Sequence, residues 1–193
     1  RQFDISKIDF DLLSREFAHT RRKNLLLRDL DELVNQQLAK MLFANPQRID
    51  YYDRYQEIID AYNAEQNRAT IEKTFMDLME LASSLDTEQQ RYVREGFSSD
   101  EELSVYDLLF SENLTKQEIE TIKKVSVDLL TKIKQQIAKL DHWTDKQETK
   151  AIVDNLIRNT LWQELPNSYD VSDIQTYQKK IYEYVYMRYP EVA

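Results

Sequence analysis

The chain has 193 residues and a net charge of −9, with 32% charged residues, no Cys, and one Gly beside three Pro. One Gly cannot supply the positive-φ turns of several hairpins or the close anion approach of nucleotide-binding loops; this argues against a strand-rich fold and excludes the usual phosphate-loop motifs. The acidic balance argues against broad nonspecific binding to DNA or to an anionic membrane. No apolar run reaches the roughly 20 residues of a membrane span, and the lack of Cys removes disulfide and thiolate-metal chemistry.

The N-terminus shows neither a signal-peptide pattern nor a starting Met, so the sequence reads as a piece of a longer, cytoplasmic chain. Apolar spacing is 3.6-like nearly throughout, which predicts helices. After a short opening segment, Ile8 to Phe17, a helix is expected from Arg28 to Ala44, burying Leu30, Leu33, Val34, Leu38, Met41 and Leu42. Asn45-Pro46 stops it, since Pro lacks the N–H and disfavours helical geometry before it. The next helix, from about Asp50, aligns Tyr51, Tyr55, Ile58, Ile59 and Tyr62. Thr70 is the expected cap of a helix bearing Phe75, Leu78, Met79 and Ala82, with a pause near Leu85-Asp86 and a restart capped by Thr87 and Gln90. Gly96 falls where a left-handed C-terminal cap is expected.

Ser98 or Ser99 followed by Glu101 or Glu102 opens a short helix containing Leu103, Tyr106, Leu108, Leu109 and Phe110. Thr115 with Glu118 forms a capping box for the longest helix, whose stripe runs Ile119, Ile122, Val125, Leu129, Ile133, Ile137 and Leu140. Thr144 with Gln147 is the expected cap of the next, with Ile152, Val153, Leu156, Leu161 and Leu165 inward and a break at Pro166. A last helix runs from about Asp170 to Tyr189-Pro190. The expectation is an all-α protein of seven or eight helices, packed as one antiparallel bundle or as a pair of subbundles.

The search for chemistry finds no catalytic set. His19 and His142 are far apart and in no zinc spacing. Glu148-Thr149-Lys150 resembles the tail of a nuclease metal site, but it sits inside a predicted helix and such triplets arise by chance in a chain this charged. No Gly-x-Ser-x-Gly and no Walker-type lysine occurs. Catalytic, cofactor and metal residues are therefore none. Two features stand out as partner-contact candidates. Six of the twelve Tyr lie between Tyr169 and Tyr189. On the last helix Ile174, Ile181 and Val185 form one stripe, while Tyr182, Tyr186 and Tyr189 form a second that packs either on a partner or within the domain. The other feature is the junction from Trp143 to Lys146, ahead of a helix start, where the Trp serves as a hydrophobic staple or as a contact.

Several stretches, taken together in this order, resemble a family. They are Arg48 to Asn63, Arg94-Glu95-Gly96-Phe97-Ser98 with Glu101-Glu102-Leu103, Tyr106 to Leu109, Leu114-Thr115, Lys123-Lys124-Val125, Trp143 with Lys146, and Val185 to Pro190. The set is similar to the C-terminal helical region of the restriction (R) subunit of type I restriction-modification enzymes. The resemblance implies a parent subunit with a nuclease domain and an ATP-dependent, helicase-type DNA motor, where ATP and Mg would act. It implies a non-catalytic helical domain that docks these onto a methyltransferase core of modification and specificity subunits, with DNA met mainly through the parent complex and no membrane partner. Residues 1–27 are then expected to connect to a preceding motor domain and 28–190 to form the bundle, within one domain 1–193. The alternatives are a DNA-contacting helical module and a nucleotide-binding regulatory domain.

Overall fold

The computed structural model describes residues 5–191. No strand occurs among them. The α-helices are α1 Phe10–His19, α2 Lys23–Ala44, α3 Ile49–Ala64, α4 Arg68–Gln89, α5 Arg91–Arg94, α6 Asp100–Leu109, α7 Lys116–Ile137, α8 Gln147–Glu164 and α9 Val171–Arg188. Eight of these have at least 7 residues, and the all-α expectation holds. The helices gather into two units, one up to residue 94 and the other from residue 95 on.

In the first unit α4 packs against α2 and α3. Leu27, Leu30, Val34, Leu38 and Met41 recur every three or four residues along α2, one helical stripe, and meet Phe75, Leu78, Leu81, Ala82 and Leu85 of α4. Helix α2 begins at Lys23, ahead of the expected Arg28, because Leu27 carries the buried stripe one turn further back. The opening segment, expected as a connection, supplies Ile5 and Phe17 to this core, and the Phe17 ring stacks on Phe75 with centroids 3.7 Å apart. Two expected caps are displaced. Asn67 caps α4 by accepting from the Thr70 N–H at 2.9 Å, so Thr70 lies inside the first turn. Thr87 does not cap a restart either: its hydroxyl donates back to the Ser83 carbonyl, α4 continues to Gln89, and the restart is the short α5, which holds Tyr92 and Val93.

That continuation places Glu88 in the interior. After α2, the Asn45 side chain accepts from the Gln47 N–H and Pro46 opens a single 3-10 turn, Pro46–Arg48. The turn delivers the buried Arg48, whose Nε donates to Glu88 at 3.1 Å. Arg91 donates to both Glu88 oxygens at 3.0 Å, and the Tyr51 hydroxyl reaches the same carboxylate at 3.4 Å. One carboxylate thereby ties the α2–α3 turn to the end of α4.

In the second unit α6 packs on α7 and α9, α7 on α8, and α8 on α9, closing a ring of four helices. Gly96 leads into it at φ +86°, the left-handed conformation expected of it. Ser99 caps α6, and Thr115 with Glu118 forms the full reciprocal box at α7. Asp170 with Asp173 forms another at α9. The ring's interior is filled by Ile122, Leu129, Ile133 and Ile137 of α7, Val153, Ile157 and Leu161 of α8, and Ile174, Ile181 and Val185 of α9. Ile152, expected inward, is 37% exposed because its neighbour Val153 takes the core position.

Two outcomes follow for the first unit. Glu88→Ala leaves the buried Arg48 without its carboxylate and should cost about 3–5 kcal/mol in urea unfolding. Arg48→Met leaves Glu88 with Arg91 and should cost clearly less; equal losses would refute the shared-carboxylate account. Tyr55 is buried and donates to Asp31 at 2.7 Å, and burial together with that carboxylate pushes its pKa up to about 12. Since the unfolded phenol titrates near pH ~10, its stabilising contribution is complete below that value and is lost as pH rises from there towards about 12. Tyr55→Phe should flatten this alkaline fall in thermal stability measured by circular dichroism.

Candidate interaction site

The sequence candidates converge at one end of the second unit. After α7 the chain runs through turns, with His142 at φ +46°, and this delivers Trp143 into the interior, where it is fully buried. Its Nε1–H donates to the Tyr189 carbonyl at 2.6 Å, joining the α7–α8 turn to the C-cap residue of α9. Tyr182 and Tyr186 close over the indole edge-on, with centroids 6.1 and 5.8 Å from it, an arrangement that sets a positive ring edge against a negative face. Trp143 is thus a core residue and presents no surface to a partner. Tyr182 is half-buried, and burial, followed by the nearby Asp154 charge, raises its pKa. Tyr186 keeps 38% of its surface in water.

Tyr189 is held from several sides. Its N–H donates to the Val185 carbonyl at 2.8 Å and its hydroxyl donates to Glu101 of α6 at 2.8 Å. Lys134 of α7 pairs with the same Glu101 and lies 5.3 Å from the Tyr189 ring centre. Burial opposes the Glu101 charge, but the hydrogen bonds from Lys134 and Tyr189 outweigh it and hold the carboxyl below its ordinary pKa. For Tyr189 burial acts first and the neighbouring Tyr184 and Glu101 add to it, so its phenol is held well above the usual value. Lys146 is exposed and stands at the N-cap of α8 with no side-chain cap. The expected cap Thr144 lies two residues before the N-cap, in the turn that carries Trp143, and Thr149 donates its hydroxyl to the carbonyls of Trp143 and Lys146, at 2.7 and 3.0 Å.

Of the five candidates, then, Trp143 with Tyr182, Tyr186 and Tyr189 forms one cluster, while Lys146 stays at its solvent side. The sequence reading named Glu101 only at a helix start and within a stretch of the resemblance and passed over Lys134, and no local pattern pairs the two. It also passed over Met187, 63% exposed on α9, and Trp162, 49% exposed on α8. Trp162 had a legible signal: it lies three and seven residues after Asn159 and Asn155, on the polar face opposite Val153, Ile157 and Leu161. No group of three or more His, Asp or Glu side chains able to hold a metal occurs among the described residues. No described helix is long and apolar enough to cross a membrane.

Residues 1–189 match the family described as Type I restriction enzyme HindI endonuclease subunit-like, C-terminal. The chain belongs to that family. No curated protein and no solved structure matches it. For this C-terminal domain of a type I restriction subunit, the α9 end is a place where packing and surface adjoin. Two tyrosines screen a buried indole and expose their outer edges beside Met187.

Because the tyrosines wall in Trp143, Tyr182→Ala with Tyr186→Ala should lower stability and not merely remove surface. Trp143→Ala should cost about 3–5 kcal/mol in urea unfolding. Trp143→Phe, which strands the Tyr189 carbonyl, should cost about 1–3 kcal/mol. A Trp143→Ala variant within about 0.5 kcal/mol of the parent would contradict the burial described.

Proposed function

We propose that this chain is a non-catalytic assembly and coupling domain of its restriction subunit, docking the ATP-driven motor and the nuclease onto the methyltransferase core of modification and specificity subunits. Family membership supplies the parent machine. The observation that carries the docking reading is the exposure of Tyr186, Met187 and Trp162 on helices whose inward faces are already filled. Aromatic residues and Met are enriched at the buried centres of protein interfaces, and their removal there is costly. The ring of four helices serves as a rigid mount, one end of it tied by Trp143 and Glu101 through Tyr189. In this reading ATP and Mg act in the motor and nuclease domains of the parent subunit, and DNA is met through the complex.

A second reading, contact with DNA, has one observation in its favour. Arg21, Arg22, Lys23 and Arg68 line a single surface recess of the first unit, although Lys23 and Arg68 both also reach Glu72. Duplex binding that falls steeply as salt rises would favour it, since each phosphate contact releases counterions.

The docking reading is tested by retention of the chain on purified methyltransferase core at low and at moderate salt. Retention should survive moderate salt. Met187→Ser combined with Trp162→Ala should weaken it by about ten-fold or more with helicity unchanged. Unaltered retention in that variant, or none for the parent at either salt, would move the docking surface elsewhere.

A further inference from the structure

The first unit carries an apolar groove that its own core does not fill. Leu12 and Leu13 of α1 form one wall and Leu26, Leu30 and Leu33 of α2 the other, enclosing about 650 Å³. Leu30 is buried beneath, Leu13, Leu26 and Leu33 are half-buried, and Leu12 is 52% exposed. Leu13, Leu26 and Leu33 pack on the core with one side and, with Leu12, leave apolar surface along one cleft, which a partner's apolar side chains would gain by covering. Among the described residues the rim is mainly acidic: Asp9, Glu16, Asp29 and Glu32 border the groove, with Lys7 the one cation among its lining residues. Asp9 caps α1 by accepting from the Leu12 N–H, and Arg28 reaches Asp29 at 3.9 Å with both side chains exposed. Exposed pairs of that kind are weak, so the rim stays net negative.

These features select the occupant. A negative rim repels nucleic acid and anionic lipid, and a cleft running beside the ten residues of α1, about 15 Å of helix, matches three turns of a partner helix. We infer that the groove between α1 and α2 receives an amphipathic helix of a partner protein, its leucine-type stripe seated between Leu12 and Leu33 and its Lys or Arg side chains set against the acidic rim. This is the helix-in-groove mode of recognition, read as anchors at i, i+3 or i+4, and i+7. It lies in the first unit and is independent of the docking role given to α8 and α9.

The test uses the full chain and three labelled peptides of roughly 18 residues. One is helical with a leucine stripe flanked by lysines, one carries glutamate in place of lysine, and one has the lysine peptide's composition with the stripe scrambled. Fluorescence anisotropy should show the striped lysine peptide binding at least about ten-fold tighter than either other. Leu12→Asn, at a half-exposed position that the fold tolerates, should weaken it by about ten-fold. Asp29→Lys with Glu32→Lys should transfer the preference to the glutamate peptide. Equal binding of all three peptides, binding of none, or binding indifferent to Leu12→Asn overturns the inference. So does sedimentation showing a dimer that Leu12→Asn dissolves, since a second copy would then be the occupant.

Discussion

An indole N–H taken out of water must find an acceptor, and here the acceptor is a carbonyl 46 residues away, at the end of the last long helix. A free helix end leaves its last carbonyls unsatisfied. At Tyr189 one such carbonyl and one buried donor satisfy each other. The geometry of the second unit's end follows from this bond. The α7–α8 turn is wound so as to present Trp143, with His142 forced into a left-handed conformation beside it. Thr149 gives up any capping role to serve the carbonyls of that turn, and Tyr189 is brought within reach of Glu101 and Lys134. The tyrosine stripe follows from the same bond, since Tyr182 and Tyr186 sit where the indole needs cover.

The first unit solves a similar problem by charge. Its turn between α2 and α3 is anchored by Arg48 on Glu88, with Arg91 and Tyr51 sharing the carboxylate. A buried ion pair is weak evidence for stability, because desolvation offsets much of the attraction. What it gives is placement, since a lone buried Glu88 or Arg48 would be costly and only the observed register of turn against helix spares both. The turn of the first unit is therefore aligned by a buried carboxylate, whereas the turn before α8 in the second is aligned by an indole hydrogen bond and aromatic packing.

The helices were legible because their stripes are long: Ile122 to Ile137 and Leu30 to Met41 leave no other reading of their period. Capping was legible where it is wholly local, as at Thr115 and Glu118. It was misread at Thr70, Thr87 and Thr144 because the winning interaction lay elsewhere: with Asn67 three residues earlier, with Glu88 drawn into the core by Arg48, and with Trp143 drawn under α9. The candidate site was half legible. A tyrosine stripe at i, i+4 and i+7 can be counted along one helix, and so can its separation from Ile174, Ile181 and Val185. That the stripe faces Trp143 depends on a contact between distant segments, to which spacing is blind. The meeting of Glu101 with Lys134 and Tyr189 was invisible for the same reason. The family resemblance read from the ordered stretches is matched by family membership over residues 1–189.

The two tryptophans stand in opposite surroundings, Trp143 wholly enclosed and Trp162 half in water. An enclosed indole emits at shorter wavelength than a hydrated one and is shielded from dissolved quenchers. The tyrosines stacked edge-on around Trp143 are close enough to pass it their excitation energy. The chain thus contains two optical probes of separate events. Blue emission excited through tyrosine reports whether the α9 end is closed over its indole. Iodide quenching of the red emission reports whether anything has covered the outer face of α8. The chain can in this way be watched through its own light.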